Sequence, residues 1–208
     1  MTKNKAGSLV ALGLCMIVIL ACSRFGKVAN EVVTKPLVEE SKTFTLNGKE
    51  WNSFELDQTD VKAEFPGKPV DKTPPLPASF RAVFSSMRIH SYDEKDFQSS
   101  VTQLVPTGNR KFQVKELADT SMAAMKRQIP DLTYTLDIES ESKAKYNGSF
   151  TKNGKTYDVR GCCIYKKGPD PRVWAVITLY PTDNADARTA GQRIIDSVVF
   201  KGATDECK

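Results

Sequence analysis

The chain has 208 residues, 26% of them charged and 40% hydrophobic, with a formal net charge of +5. That length supplies one domain with a sizeable core. Its acids and bases are interspersed rather than run together, which excludes the electrostatic footprint of a nucleic-acid binder and leaves a well-solvated mixed surface.

The amino terminus is the most informative segment. Lys3 and Lys5 form a short positive stretch, and no acidic residue precedes Glu31. Leu9 to Ala21 is an unbroken run of thirteen apolar residues. This suits the hydrophobic part of a secretory signal and falls short of the roughly 20 residues that a spanning helix needs. The run closes on Ile19-Leu20-Ala21-Cys22, which resembles a bacterial lipobox: an aliphatic residue, a small residue at the cleavage point, then a thiol placed to accept a diacylglyceryl group. Cleavage between Ala21 and Cys22 and acylation of Cys22 are expected. An ordinary signal peptide or an uncleaved anchor are the competing readings. Each buried methylene contributes about 0.8 kcal/mol, so one chain binds reversibly while the two or three fatty chains of such a cysteine, palmitate among them, hold firmly. Ser23 in place of an aspartate resembles lipoproteins sorted to the outer membrane, facing the periplasm, if the host is Gram-negative.

Removing residues 1–21 takes away two lysines and no acid, so the mature chain carries +3. Residues 22–42 comprise the lipidated cysteine and a stretch with no sustained period, interrupted by Pro36, that reads as a flexible tether. A coil of that length averages roughly 25 Å end to end, with a stretched limit near about 70 Å. Residues 43–208 then form a single globular domain without internal repeats.

Within it, Val61 to Phe65 alternates as a strand and meets the turn cluster Pro66-Gly67-Lys68-Pro69. Phe80 to Tyr92 reads as one long strand, with Phe80, Ala82 and Phe84 at period two, and pairs across Asp93–Asp96 with Phe97 to Val105. Val114, Leu117, Ala118, Met122, Met125 and Ile129 recur at helical spacing, and Pro130 stops that helix. Four strands follow: 132–138, 143–151, 155–165 and 172–180, with turns at Asn153-Gly154 and Lys167-Gly168-Pro169. A second helix, capped by Thr182 or Asp183, has Ala187, Ala190, Gly191, Ile194 and Val198 on its apolar face. A short strand at 198–200 ends the pattern. Hairpin-joined strands make an antiparallel sheet that two main helices must cover, so the expected class is α+β.

Phe65 to Pro69, the helix from Val114 to Ile129, and Ile195-Asp196-Ser197-Val198-Val199-Phe200 resemble the turn, central helix and closing segment of the Mog1/PsbP-like fold. The likeness spans about residues 50 to 202. Its bacterial members include small envelope lipoproteins of the DcrB type. The resemblance implies an α/β/α sandwich and a non-catalytic scaffold that binds a protein partner or assists assembly of a membrane complex. It carries over no catalytic residue and no cofactor.

The residues that might carry chemistry give little support to an enzyme. Gly148 and Gly154-Lys155-Thr156 have five residues between the glycines, where a phosphate loop needs four, and lie between strands. Ser140-x-x-Lys143 and Ser149-x-x-Lys152 match a serine–lysine spacing that requires a helix, yet fall in or beside strands. They are the only support for a hydrolase. His90 is the sole histidine, expected at a solvated or rim position. No Cys/His spacing suggests a metal. Cys162 and Cys163 are neighbours in a strand and point to opposite faces, so at most one of them can meet Cys207; a disulfide and unpaired thiols both remain open. Trp51, Trp174, Tyr157, Tyr165 and Tyr180 are core aromatics or the lining of a groove for a lipid or other apolar ligand. Lys166, Lys167 and Arg172 sit at a hairpin tip, solvated or facing anionic headgroups. The expected role is therefore a membrane-anchored envelope module with a protein partner, the alternative being an apolar-ligand carrier or sensor.

Overall fold

The computed structural model describes residues 43–76, 78–108 and 110–208. The leader, Ala21, Cys22 and the tether lie outside the described residues.

Among the described residues, ten strands and three helices follow one another in the order β1 (Asn52–Glu55), β2 (Val61–Phe65), β3 (Val70–Asp71), α1 (Ala78–Arg81), β4 (Phe84–Glu94), β5 (Phe97–Pro106), α2 (Val114–Gln128), β6 (Thr133–Ile138), β7 (Lys143–Lys152), β8 (Lys155–Lys166), β9 (Arg172–Pro181), α3 (Ala185–Ser197) and β10 (Val199–Phe200). They form a seven-stranded sheet in the order β3-β4-β5-β9-β8-β7-β6 and a three-stranded sheet in the order β1-β2-β10. Every pairing is antiparallel. With helices packed against both faces, the class is α+β.

β9 shows why the sheet is covered on both sides. Its Val-Trp-Ala-Val-Ile-Thr-Leu-Tyr run is buried at every position, the signature of a central strand with no solvent face. Val173, Ile177 and Leu179 point into a core with Leu117, Met122 and Met125 of α2. Trp174, Val176 and Tyr180 point into a second core with Ala187, Ala190 and Ile194 of α3. α2 lies over β6, β7 and β8, whereas α3 lies over β9 and β2.

Between β7 and β8, Asn153 and Gly154 both take positive φ (52° and 76°), the pair of left-handed residues a tight hairpin requires. The Gly-Lys-Thr segment is thus a hairpin, not a phosphate loop. Gly161 has a different reason to be glycine. A Cβ there would lie 2.0 Å from the Val176 carbonyl oxygen and 2.5 Å from the Tyr146 ring. That ring crosses β8 and donates its hydroxyl to the carbonyls of Val176 (2.7 Å) and Cys162 (3.1 Å).

Two expectations about elements are corrected. Phe80 to Tyr92 is not one strand: α1 takes residues 78–81 and the strand starts at Phe84. Phe80 and Phe84 are both buried on the α2 side while Ala82 is exposed. The spacing of four between the two phenylalanines fits a helical turn as well as a period of two, and short apolar runs do not separate the alternatives. At the start of α3 the cap is Asn184 rather than Thr182 or Asp183. Its Oδ1 accepts from the Ala187 N–H at 3.0 Å, and its Nδ2 donates to the Phe44 carbonyl. One side chain thus caps the helix and ties down the entry of the chain.

Candidate functional site

The sheet separates the aromatic residues expected to line a groove. Trp174 and Tyr180 belong to the α3-side core, and Trp51 packs at its margin with the Arg193 guanidinium 4.3 Å from its ring centroid. Tyr157, stacked on Phe150 at 5.2 Å, and Tyr165 belong to the α2-side core. The register explains the division. Ile164 pairs with Trp174 and Tyr165 with Val173, so Tyr165 and Trp174 project from opposite faces. They do not line one groove.

Cys162 and Cys207 are joined as a disulfide, with Cα atoms 5.7 Å apart. Cys163, on the other face, is free and buried, and burial pushes its thiol up to about 12. At that value almost no thiolate exists near neutral pH, so Cys163 is a packing residue rather than a nucleophile.

His90 is not at the rim. It is 4% exposed, on the β4 face shared with Arg88 and Tyr92, and its Nδ1 is buried without a hydrogen-bond partner. A catalytic base needs a third group to orient it, and here that nitrogen has none. Burial lowers the imidazole below its usual 6.5, opposed by the charges of Asp71 and Asp57 and assisted by Arg88. The folded chain therefore binds a proton less readily than the unfolded one. Stability should fall as pH drops through about 6.5, by no more than about 1.4 kcal/mol per pH unit, one proton's worth. Denaturant titrations at pH 7.5 and 5.5 check this. His90→Gln should flatten the dependence in that window, and an equal loss in wild type and variant would assign it to other groups.

The serine–lysine pairs find structural roles. Ser140 Oγ receives the Ser142 N–H, and Lys143 forms an ion pair with Glu139 at 2.6 Å. Ser149 shares a hydrogen bond with Thr133 across the β6–β7 ladder. Among the described residues, no group of three or more His, Cys, Asp or Glu could hold a metal ion, and no helix is long and apolar enough to cross a membrane.

What the structure does assemble lies at one end of the large sheet. The loop leading into α2 folds against the β8–β9 hairpin and borders an open cavity of about 710 Å³, lined by Arg110, Lys111, Phe112, Glu116, Tyr165 and Lys167 among others. The Tyr165 hydroxyl donates to the Arg110 carbonyl at 3.0 Å. Phe112 meets the Tyr165 ring edge-on at 5.8 Å and stacks on Phe84 at 5.6 Å. These contacts fix the loop on the sheet. A neighbouring recess of about 420 Å³ shares Phe112 and Lys167 and adds Lys115 and Ile138. The charges divide unequally. Arg172 pairs with Asp60 and Asp170, Lys166 lies 3.8 Å from Asp170 and Lys167 has Glu141, so all three hairpin cations are matched by acids. Lys167 pairs with Glu141 at 2.5 Å; the hydrogen bond from Lys167 draws the Glu141 carboxyl below its ordinary range. Arg110, Lys111 and Lys115 have no ion-pair partner among the described residues and are exposed.

No protein-family model matches the chain, and no curated protein matches it. Solved structures with a similar fold include the Ran-binding protein Mog1p of Saccharomyces cerevisiae (11% identity over 73% of this chain and 96% of that one, TM-score 0.45). Another is LpqN, involved in cell envelope biogenesis of Mycobacterium tuberculosis (13% identity over 76% of this chain and 97% of that one, TM-score 0.38). Likenesses of this size add nothing about activity, partners or sites, which rest on the chain's own residues.

Sequence reading passed over the loop from Arg110 to Phe112. A signal was present, Arg-Lys-Phe directly before a helix, but its meaning depends on the hairpin more than fifty residues later that it packs against.

Proposed function

We propose that the chain is a lipid-anchored cell-envelope protein whose domain serves as a non-catalytic partner-binding or assembly module. The observation that carries this reading is Ile19-Leu20-Ala21-Cys22 at the end of a thirteen-residue apolar run behind Lys3 and Lys5. The domain is in keeping with it. The groups that could do chemistry are occupied otherwise: Cys163 and His90 in packing, Ser140 and Ser149 in turns and ladders, Cys162 in a disulfide. In a Gram-negative host the anchor would lie in the outer membrane with the domain in the periplasm. The apolar-ligand alternative loses its main support, because the aromatics it invoked face opposite sides of the sheet.

Replacing Cys22 tests the anchor. Wild type should incorporate labelled fatty acid and enter the detergent phase on phase separation. Cys22→Ser should accumulate as an unlabelled, uncleaved precursor. Maturation of the variant at the same point with unchanged detergent partitioning would overturn the proposal. Crosslinking in intact membranes at native expression should then recover one reproducible envelope protein.

A further inference from the structure

We propose that the cavity between the α2 entry loop and the β8–β9 hairpin docks the phosphate headgroup of an anionic phospholipid, so that this end of the domain lies on a membrane surface. The site would combine three cations in no ion pair among the described residues, Arg110, Lys111 and Lys115, with an apolar wall of Phe112 and Tyr165 and a rim carrying the exposed Ile138; of the two carboxylates that also line it, Glu141 is taken up by Lys167, which leaves Glu116 against the three cations.

Two features favour a lipid over a free anion. First, the cations are exposed, and no buried ring of donors closes around a small ion. A single phosphate would meet them through water, whereas a surface of many phosphates engages all of them together, each adding about fivefold to binding. Second, the aromatic wall lies beside the charges, an arrangement that suits the glycerol and upper acyl region next to a headgroup.

An anchor at Cys22, as proposed above, is compatible with this orientation. The chain enters the described domain at the other end of the sheet, where Lys95 holds the Thr43 carbonyl and Asp96 receives the Phe44 N–H. The ten-residue β5 separates the two ends by about 30 Å. A tether of residues 22–42 has a stretched limit of about 70 Å, enough to run back along the domain. With the chain anchored as proposed above, the headgroup contact would fix which face of the domain is turned away from the membrane.

The test uses the mature chain from residue 22 carrying Cys22→Ser, so that no acyl group contributes and the outcome is independent of lipidation. Its sedimentation with phosphatidylcholine vesicles is measured with and without phosphatidylglycerol. Binding is expected only with phosphatidylglycerol and should weaken as salt screens the charges. Arg110→Ala with Lys111→Ala should bind about 25-fold more weakly. Lys126→Ala with Arg127→Ala, the same charge change at exposed positions in the last turn of α2, the end away from the cavity, should bind like the parent. Equal loss in both double variants means a diffuse charge effect and overturns the site. Displacement by inorganic phosphate at matched phosphate concentration assigns it to a soluble anion and overturns the lipid. No binding to either vesicle overturns it outright. Circular dichroism of each variant verifies folding, which these exposed substitutions leave intact.

Discussion

Replacing Trp174 with alanine is expected to lower the stability of the domain by about 4 kcal/mol, the largest effect of any single aromatic truncation here. The indole is fully buried and stacks on Phe200 with ring centroids 5.0 Å apart. Its Nε1 donates to Gln103 Oε1 at 2.8 Å, and the same oxygen accepts the Asp60 N–H at 2.9 Å. Four parts of the chain therefore meet around one ring: the central strand β9, its neighbour β5 through Gln103, the closing strand β10, and the turn before β2. Truncation opens a cavity and strips Gln103 of one partner, so transfer, cavity and hydrogen-bond losses add. For a domain of this size the midpoint of thermal unfolding should drop by about 8 to 16 °C. Trp174→Phe keeps an aromatic face toward Phe200 and should lose about half as much. Urea titrations of the three proteins provide the measurement. A Trp174→Ala protein as stable as wild type would mean that the side chain lines a groove rather than filling a core.

That distinction marks where the sequence stops being legible. Alternation along β8 and β9 shows that Tyr157 shares a face with Tyr165, and Trp174 with Tyr180. It does not show which face of the neighbouring strand each pair joins, because that depends on register across the hairpin. The observed pairing of Ile164 with Trp174 puts the two sets on opposite sides. His90 was misplaced for a related reason. The face it shares with Arg88 reads as polar along β4, yet the turn before β2 returns over it, with Gln58 accepting from the Arg88 guanidinium. The elements themselves were more readable. Pro130 ends α2 on schedule, the apolar face of α3 is nearly the one expected, and Asn153-Gly154 makes its hairpin. Those signals are local, carried by backbone chemistry within a few residues. β1 and β3, at four and two residues, exist only through their partners and leave no comparable trace. The cavity is the extreme case, since its two walls belong to segments on opposite sides of α2, β6 and β7.

Loss of the Cys162–Cys207 bridge is expected to cost the domain a further stabilisation of about 4 kcal/mol, the value the chain-entropy model gives for closing 45 residues. The choice of partner follows from the face. After α3 the chain runs through β10, where Phe200 packs on Trp174, and the last residues remain on that side. Cys162 points there and Cys163 points away. A tail that would otherwise fray is held further by Ser142 hydrogen-bonded to Asp205 and by Lys143 donating to the Lys208 carbonyl. In protein exported to an oxidising compartment, alkylation under denaturing conditions should modify Cys163 alone among these three cysteines, and all three only after reduction. Cys207→Ser should lower the thermal midpoint by about 8 to 16 °C and expose the last residues to carboxypeptidase, while Cys163→Ala, which removes only a small buried side chain, should cost about 1 kcal/mol. The buried Cys163 thiol, pushed up to about 12, also has too little thiolate to attack the neighbouring disulfide, so the bridge should not migrate to it on standing. A Cys207→Ser protein with an unchanged midpoint, or a Cys163→Ala protein that loses the crosslink, would show that the pairing drawn from strand geometry is not the one the chain adopts.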